Sequence, residues 1–242
     1  MDDKSLPSRQ FTASELESWK RSIYDIYDRM RAKAQKPYEV EYGGVALDVL
    51  PNVYAPEFFD DSLWFAKQLR EIVGDKSLLE IGTGTGVIAV FCAKNGASVV
   101  ATDINPDAVK NARLNGQRHK LNISVREGDV YQALNPDEKF DFIFWAHPFN
   151  AWDMKVDMLL ASGIDPLYQG LRKYIAGAKT HLTPTGKLLL GTGDSADLKL
   201  IASIAKENGY ELKLLRETEQ PLEPGKEAKI KDFIYQFIEV VK

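Results

Sequence analysis

A few side chains in this sequence are spaced as a small-molecule site would need them. Leu78, Leu79 and Ile81 form an apolar run that contains a carboxylate, Glu80. Glycines follow at alternate positions, Gly82, Gly84 and Gly86, with Thr83 between the first two. Glycine takes positive φ at little cost and has no Cβ, so a ligand can lie directly on the backbone there. Val87, Ile88, Val90 and Phe91 then open an apolar helical face, whose first turn presents free N–H groups to that ligand. Asp103 closes the next apolar run, SVVAT. A carboxylate at such a position can accept hydrogen bonds from both hydroxyls of a ribose. Ile104 beside it can pack on a purine face, and Asp129, in REGDVY, can reach an exocyclic amine.

The glycine spacing is G-x-G-x-G, not the G-x-G-x-x-G of dinucleotide sites. Glu80 would repel a pyrophosphate and attract a cation. The ligand that fits is adenosine joined to a positively charged sulfonium and an amino acid. A second chemical segment is FDFIFWAHPFN, where His147, Pro148 and Phe149 follow an apolar run. With an ordinary pKa near ~6.5, His147 is either a general base or a loop histidine with no proton-transfer role. Trp145, Phe149 and Trp152 crowd the same segment, either to stack on a substrate ring or to pack the loop onto the core. Tyr54, in NVYAPEFF, is a further candidate contact. His119 and His181 read as surface residues at helix ends, and no His/Cys/Asp spacing resembles a metal site. Cys92, the single cysteine, sits among apolar neighbours and reads as a small core residue.

The elements that must hold these groups follow from periodicity. Thr12 or Ser14 can cap a helix running to about Ala34, with Leu16, Trp19, Ile23, Ile26, Tyr27 and Met30 at spacings of three and four. Its many lysines and arginines read as a solvated face or a docking surface. Residues 38–50 predict a hairpin turning at Gly43-Gly44. A helix follows from Asp60 or Asp61 to Val73, ended by Gly74. From there strands and helices alternate: strand 78–81, helix 87–94, strand 98–102, helix 106–115 ended by Gly116, strands 123–126 and 140–145, helix 166–182, strand 186–190 and helix 196–207. Leu212–Leu215 and Phe233–Val241 predict a closing antiparallel pair joined by the polar loop ETEQPLEPGKEAK. The expectation is an α/β, Rossmann-like sheet of seven strands, mostly parallel, with a terminal antiparallel pair and helices on both faces. Residues 1–37 would be an N-terminal helical extension, with residues 1–10 loosely held, and 38–242 the main domain.

Composition sets the wider limits. The chain of 242 residues is 44% hydrophobic, enough for a large core. Its net charge of −4 argues against a protein that coats nucleic acid non-specifically. The N-terminus lacks an apolar signal core and no run reaches the ~20 apolar residues of a membrane span, so a cytoplasmic protein without membrane contact is expected.

The segments LLEIGTGTGVIAV, VVATDINPDAVKNARLN, GDVY, FDFIFWAHPF and GKLLL closely resemble the class I S-adenosylmethionine-dependent methyltransferases. Within them the chain is most similar to the small-methyltransferase group, which includes release-factor glutamine and ribosomal-RNA methyltransferases. The resemblance covers residues 45 to about 194. It implies that Glu80, Gly82, Thr83, Gly84 and Gly86 cradle the methionine part of the cofactor S-adenosyl-L-methionine. It places the ribose on Asp103 and the adenine beside Asp129 and Val130. In that group the fourth strand ends in Asn-Pro-Pro-Tyr, where the Asn side chain and first Pro carbonyl accept hydrogen bonds from an acceptor amide or amine. Here Ala146, His147, Pro148 and Phe149 stand there, so the amide-recognising Asn is missing and Asn150 lies out of register. The resemblance implies methyl transfer to a protein side chain, an RNA base or a small molecule. A cofactor-binding protein without transferase activity and an NAD-dependent oxidoreductase are the alternatives; the glycine spacing, Glu80 and the final strand pair oppose the second.

Overall fold

The structure, a computed structural model, describes residues 6, 8–221 and 232–242. Its central sheet has seven strands: β3 (Ser77–Ile81), β4 (Ser98–Asp103), β5 (Ile123–Glu127), β6 (Phe140–Ala146), β7 (Leu182–Gly193), β8 (Glu211–Pro221) and β9 (Asp232–Val241). Their order is β5-β4-β3-β6-β7-β9-β8. The first five run parallel, and β9 pairs antiparallel with both β7 and β8. The chain steps outward from β3 in one direction through β4 and β5, then returns to the other side of β3 through β6. Ligands bind at such a reversal, beyond the carboxyl ends of the strands. Register sharpens the point: Ile81 pairs with both Thr102 and Trp145, so Gly82, Asp103 and Ala146 leave the sheet along one edge.

Helices cover both faces. On one lie α1 (Ala13–Lys33), α2 (Asp61–Val73), α3 (Val87–Lys94) and α4 (Pro106–Arg118); on the other α5 (Gln169–His181) and α6 (Leu198–Glu207). The first face is rich in rings, with Phe65 and Phe237 each packed on Phe144 at 5.8 and 5.5 Å between centroids. Each such side chain contributes about 2 kcal/mol by leaving water. Trp19, Ile23, Ile26, Tyr27 and Met30 of α1 are buried in that same cluster. Thr12, not Ser14, caps α1: its hydroxyl accepts from the Glu15 N–H, and Glu15 returns a bond to the Thr12 N–H. Four basic residues of this helix face acidic neighbours, with Lys20 on Glu17, Arg29 on Asp25, Arg31 on Asp28 and Asp157, and Lys33 on Glu57.

Strands β1 (Tyr38–Tyr42) and β2 (Val45–Val49) form a separate hairpin that turns at Gly43-Gly44, both at positive φ. Two asparagines of α4 hold it. Asn111 and Asn115 each donate to the Asp48 carbonyl, and their oxygens accept from the N–H groups of Leu50 and Asp48. Asn115 also donates to the Thr85 carbonyl at 2.8 Å, which ties the glycine loop to the same clamp.

Several boundaries differ from expectation. Helix α4 continues past Gly116 to Arg118, with Gly116 buried inside the helix instead of ending it. The expected helix 166–182 begins as a separate turn, Pro166–Tyr168, with Leu167 and Tyr168 at positive φ, so Leu167 is 47% exposed and lies off the apolar stripe. Leu182 belongs to β7, which starts earlier and ends later than the KLLLG core. His181, expected at the surface, is buried against the Tyr131 ring, 5.1 Å between centroids. His119 is half-buried and bonds the Ala46 carbonyl. Strand β8 extends to Pro221 because β9 supplies ladder partners that far; the rest of the expected loop, like residues 1–5 and 7, lies outside the described residues. Cys92 is buried, and burial pushes its thiol up, which keeps it inert. Among the described residues no helix is long and apolar enough to cross a membrane, and no group of three or more His, Cys, Asp or Glu could hold a metal ion.

Candidate active site

The loop after β3 is shaped by three successive left-handed glycines and one buried acid. Gly82, Gly84 and Gly86 have φ of 65°, 55° and 82°. A Cβ on Gly82 would lie 2.6 Å from the Trp145 indole nitrogen, whereas one on Gly84 would meet nothing within 4 Å. Gly84 therefore offers bare backbone to open space, as a ligand cradle requires. Gly86 plays a different part from the one expected. It does not line the cavity; it caps α3, and a Cβ there would lie 2.9 Å from Ala112 Cβ, so it is glycine for helix packing.

Glu80 is 2% exposed, and Thr83 Oγ1 donates to its Oε2 at 2.9 Å. Among the described residues no basic side chain pairs with it. Burial pushes its pKa to about 8, with the nearby Asp103 carboxylate adding to the rise. Such an acid is a latent anion, protonated until a cation arrives. Asp103 is set by the backbone: Gly84 N–H donates to Oδ2 at 2.9 Å and Asn105 N–H to Oδ1 at 2.8 Å. Burial raises its pKa while these bonds hold it down. Ile104 next to it is 49% exposed, an apolar face at the cavity rim. Asp129 is ion-paired with Lys173. Val130 is held at φ 53°, a conformation that costs a β-branched residue about 1–3 kcal/mol and is concentrated at functional sites. Thr102 Oγ1 donates to its carbonyl at 3.3 Å.

The loop after β6 lies along the same edge. His147 is 1% exposed, with Nε2 hydrogen-bonded to Thr192 Oγ1 at 2.9 Å and rings of Tyr168, Phe149 and Trp145 around it. Burial lowers its pKa to about 3. Of the two readings of His147 this favours the one without proton transfer: near pH 7 it is a neutral hydrogen-bonding group, too weakly basic to hold a proton. Pro148 is buried and Phe149 half-buried, its ring stacked on Phe233 and its carbonyl accepting from Tyr168 at 2.6 Å. Asn150 is a structural anchor: Oδ1 accepts from the Trp19 indole at 3.0 Å and Nδ2 donates to the Gly163 carbonyl. Trp145 is buried, and Trp152 lies half-buried under the Lys20 ammonium.

One cavity of about 360 Å³ joins these parts. It is lined by Glu80, Gly82, Thr83, Gly84, Asp103, Ile104, Asp129 and Val130 at one end, and by His147, Pro148, Phe149 and Tyr54 at the other. The structure thus brings together every expected site residue except Gly86. Sequence reasoning missed the other walls: Trp19, Ile23 and Tyr27 of α1, Asp61 and Ser62 at the start of α2, and Phe233 and Tyr235 of β9. The four-residue spacing of the α1 set gave a buried face but not what it would cover.

A glycine loop at the reversal of a parallel sheet, a backbone-held carboxylate at the end of the next strand and a closing antiparallel pair are the features of an S-adenosylmethionine-dependent methyltransferase of Rossmann-like fold. The site fits that cofactor: Glu80 is a buried acid lacking a cation, and Gly84 leaves bare backbone beside it. Residues 44–201 match the sequence model described as methyltransferase small domain, and the chain belongs to that family. It is 33% identical over 190 residues to a Methanocaldococcus jannaschii protein assigned as a protein N5-glutamine methyltransferase, covering 76% of this chain and 94% of that one. It is 28% identical over 196 residues to the release factor glutamine methyltransferase of Streptococcus pneumoniae, covering 73% and 68%. Among solved structures, a 16S rRNA guanine N2 methyltransferase of T. thermophilus, in complex with AdoMet and guanosine, superposes with a TM-score of 0.60 at 19% identity. That match covers 86% of this chain and half of the other, and shows the shared fold.

Proposed function

We propose that Glu80, Gly82, Thr83, Gly84, Asp103, Ile104, Asp129 and Val130 hold S-adenosylmethionine, and that the loop Ala146–Asn150 receives the methyl acceptor. The observation that carries this is the single cavity running from the glycine loop to His147, Pro148 and Phe149. Bound there, the cofactor supplies an already activated methyl group, so the protein's work is positioning and exclusion of water. Asp103 orients through a carboxylate fixed by two N–H groups. Glu80 contributes negative charge once ionised. His147, neutral and hydrogen-bonded to Thr192, shapes the acceptor wall without taking the proton. Helix α1, within the proposed N-terminal extension 1–37, roofs the acceptor side of the domain 38–242 through Trp19, Ile23 and Tyr27.

The two sequence relatives named above carry names for methylation of protein glutamine, which supports a macromolecular acceptor. Trp19, Tyr27, Phe233 and Tyr235 on the acceptor side are each at most 3% exposed, so aromatic rings enclose a group that enters there. Ion pairing of Lys20, Arg29, Arg31 and Lys33 within the protein leaves these charges poorly disposed toward phosphates, which favours a protein over an RNA in the cytoplasm. The test is methyl transfer from isotopically labelled S-adenosylmethionine to fractionated cell protein and cell RNA. Label in protein, abolished by S-adenosylhomocysteine, is expected. Label confined to nuclease-sensitive material would reverse the choice of acceptor, and absence of cofactor binding would end the whole reading.

A further inference from the structure

The far end of the cavity contains a carboxylate that the mechanism above does not use. Asp61, at the first turn of α2, lines the cavity. Its Oδ1 accepts from Ser62 N–H at 2.6 Å, Ser62 Oγ at 3.3 Å and Tyr54 Oη at 3.2 Å. Oδ2 has no protein partner among the described residues, and no basic side chain pairs with either oxygen. Burial pushes the Asp61 pKa to about 6, so it is mostly ionised near neutral pH and lacks a counter-charge.

Aromatic rings surround this charge. Tyr54 stacks on Phe59 at 5.8 Å and approaches Tyr27 at 6.5 Å. On the other side Phe149 packs against Tyr235 at 6.4 Å and against His147 at 5.9 Å. Burial, and then the Asp61 charge, pushes the Tyr235 phenol up, so the two groups are neighbours. Two more polar atoms here are buried without a hydrogen-bond partner, Tyr235 Oη and His147 Nδ1, on residues each 1% exposed. Asp61 Oδ2, an acceptor, and Tyr235 Oη, which can accept or donate, thus line one ring-walled end of the cavity, with the neutral His147 ring beside Phe149. A carboxamide could match these groups in hydrogen bonds, but it carries no charge to balance Asp61. An alkylammonium has three donors, a positive charge to balance Asp61, and favourable contact with ring faces.

We infer that this end of the cavity is the acceptor subsite, that Asp61 is its positioning and proton-accepting residue, and that the methylated group is an alkyl amine bound as its ammonium. The inference rests on the methyl-transfer reading above. The ammonium loses one proton to Asp61 Oδ2, which passes it to solvent. The freed nitrogen lone pair forms the C–N bond as the methyl–sulfur bond breaks with its electron pair on sulfur. Two cations enter; a methylated ammonium, a neutral thioether and one proton leave. Loss of the proton before transfer also removes the repulsion between an ammonium and the adjacent sulfonium.

The amine can be free or carried on a lysine side chain, and the assay separates these. Wild-type protein with labelled S-adenosylmethionine is offered alkylamines, arylalkylamines, lysine peptides and glutamine peptides. In parallel, the protein loaded with S-adenosylhomocysteine is titrated calorimetrically with the same amines. Methylation of amines or lysine peptides is expected, with glutamine peptides inert. Asp61→Asn, which keeps the helix start, should lower amine kcat/KM on the order of 100-fold while leaving cofactor Kd within about threefold. Tyr235→Phe should weaken amine binding about tenfold. Saturable binding confined to free amines marks a small acceptor; binding confined to lysine peptides marks a protein one. Cofactor binding with no amine bound or methylated at about 10 mM, or an Asp61→Asn variant as active on amines as wild type, would overturn the inference alone. Loss of cofactor binding in the wild type would instead remove the reading beneath it.

Discussion

Glu80 should couple cofactor binding to pH, and the coupling should depend on the charge of sulfur. In the free protein burial holds its pKa at about 8, so at pH 7 about nine-tenths of the population is protonated. A bound sulfonium favours the carboxylate, so binding should release close to one proton at that pH. The cost of ionising Glu80 at pH 7 is about 1.4 kcal/mol, a tenfold loss of affinity relative to the plateau above pH 8. Between pH 6 and 9 the affinity for S-adenosylmethionine should rise about a hundredfold and then level off. S-adenosylhomocysteine carries the same amino and carboxyl groups with a neutral sulfur, so the ratio of the two affinities isolates the sulfonium effect. Calorimetry in buffers of different ionisation enthalpy measures both the affinity and the proton count. Glu80→Gln should flatten the ratio. A ratio independent of pH across that range, or proton uptake on binding, would refute the reasoning.

Other outcomes follow from the same geometry. Without ligand, the raised pKa of Glu80 means the unfolded chain ionises first, so stability should fall as pH rises from 4.5 to about 8; thermal unfolding of Glu80→Gln should lack that slope. Asp103→Ala removes the acceptor for two N–H groups as well as the ribose contact, and should weaken cofactor binding by about 2–4 kcal/mol in the same calorimetric assay. Gly86→Ala places a Cβ 2.9 Å from Ala112 and should cost about 1–3 kcal/mol in denaturant unfolding; Gly84→Ala meets no neighbour but sits at φ 55°, so it should cost about 1–2 kcal/mol of backbone strain and also lower cofactor affinity. Because the pKa of His147 lies near 3, His147→Asn should alter kcat without moving any inflection of the kcat/KM pH profile between pH 5 and 8.

The alternation of strands and helices, the glycine loop and Asp103 were legible because each rests on local chemistry: periodicity, positive φ and a carboxylate at a strand end. Gly86 was misplaced because a glycine required for packing on Ala112 looks, in sequence, like one required for a ligand. The role of His147 was hidden for a related reason, since its ordinary pKa says nothing of the burial that lowers it. Asp61 read as a helix cap because that is what the local sequence offers; its place in the acceptor wall depends on Tyr235, far away in sequence. The asparagine clamp from α4 to the hairpin is equally non-local. Long-range packing, not propensity, decided what the local pattern could not.

A crystal structure with S-adenosylhomocysteine bound is the most direct test. It should show the ribose hydroxyls on Asp103, the adenine between Ile104 and Val130, and the sulfur directed along the cavity toward Phe149 and Asp61. A ligand seated with its sulfur facing away from the Ala146–Asn150 loop, or lodged outside this cavity, would contradict the claim that one hollow serves both cofactor and acceptor.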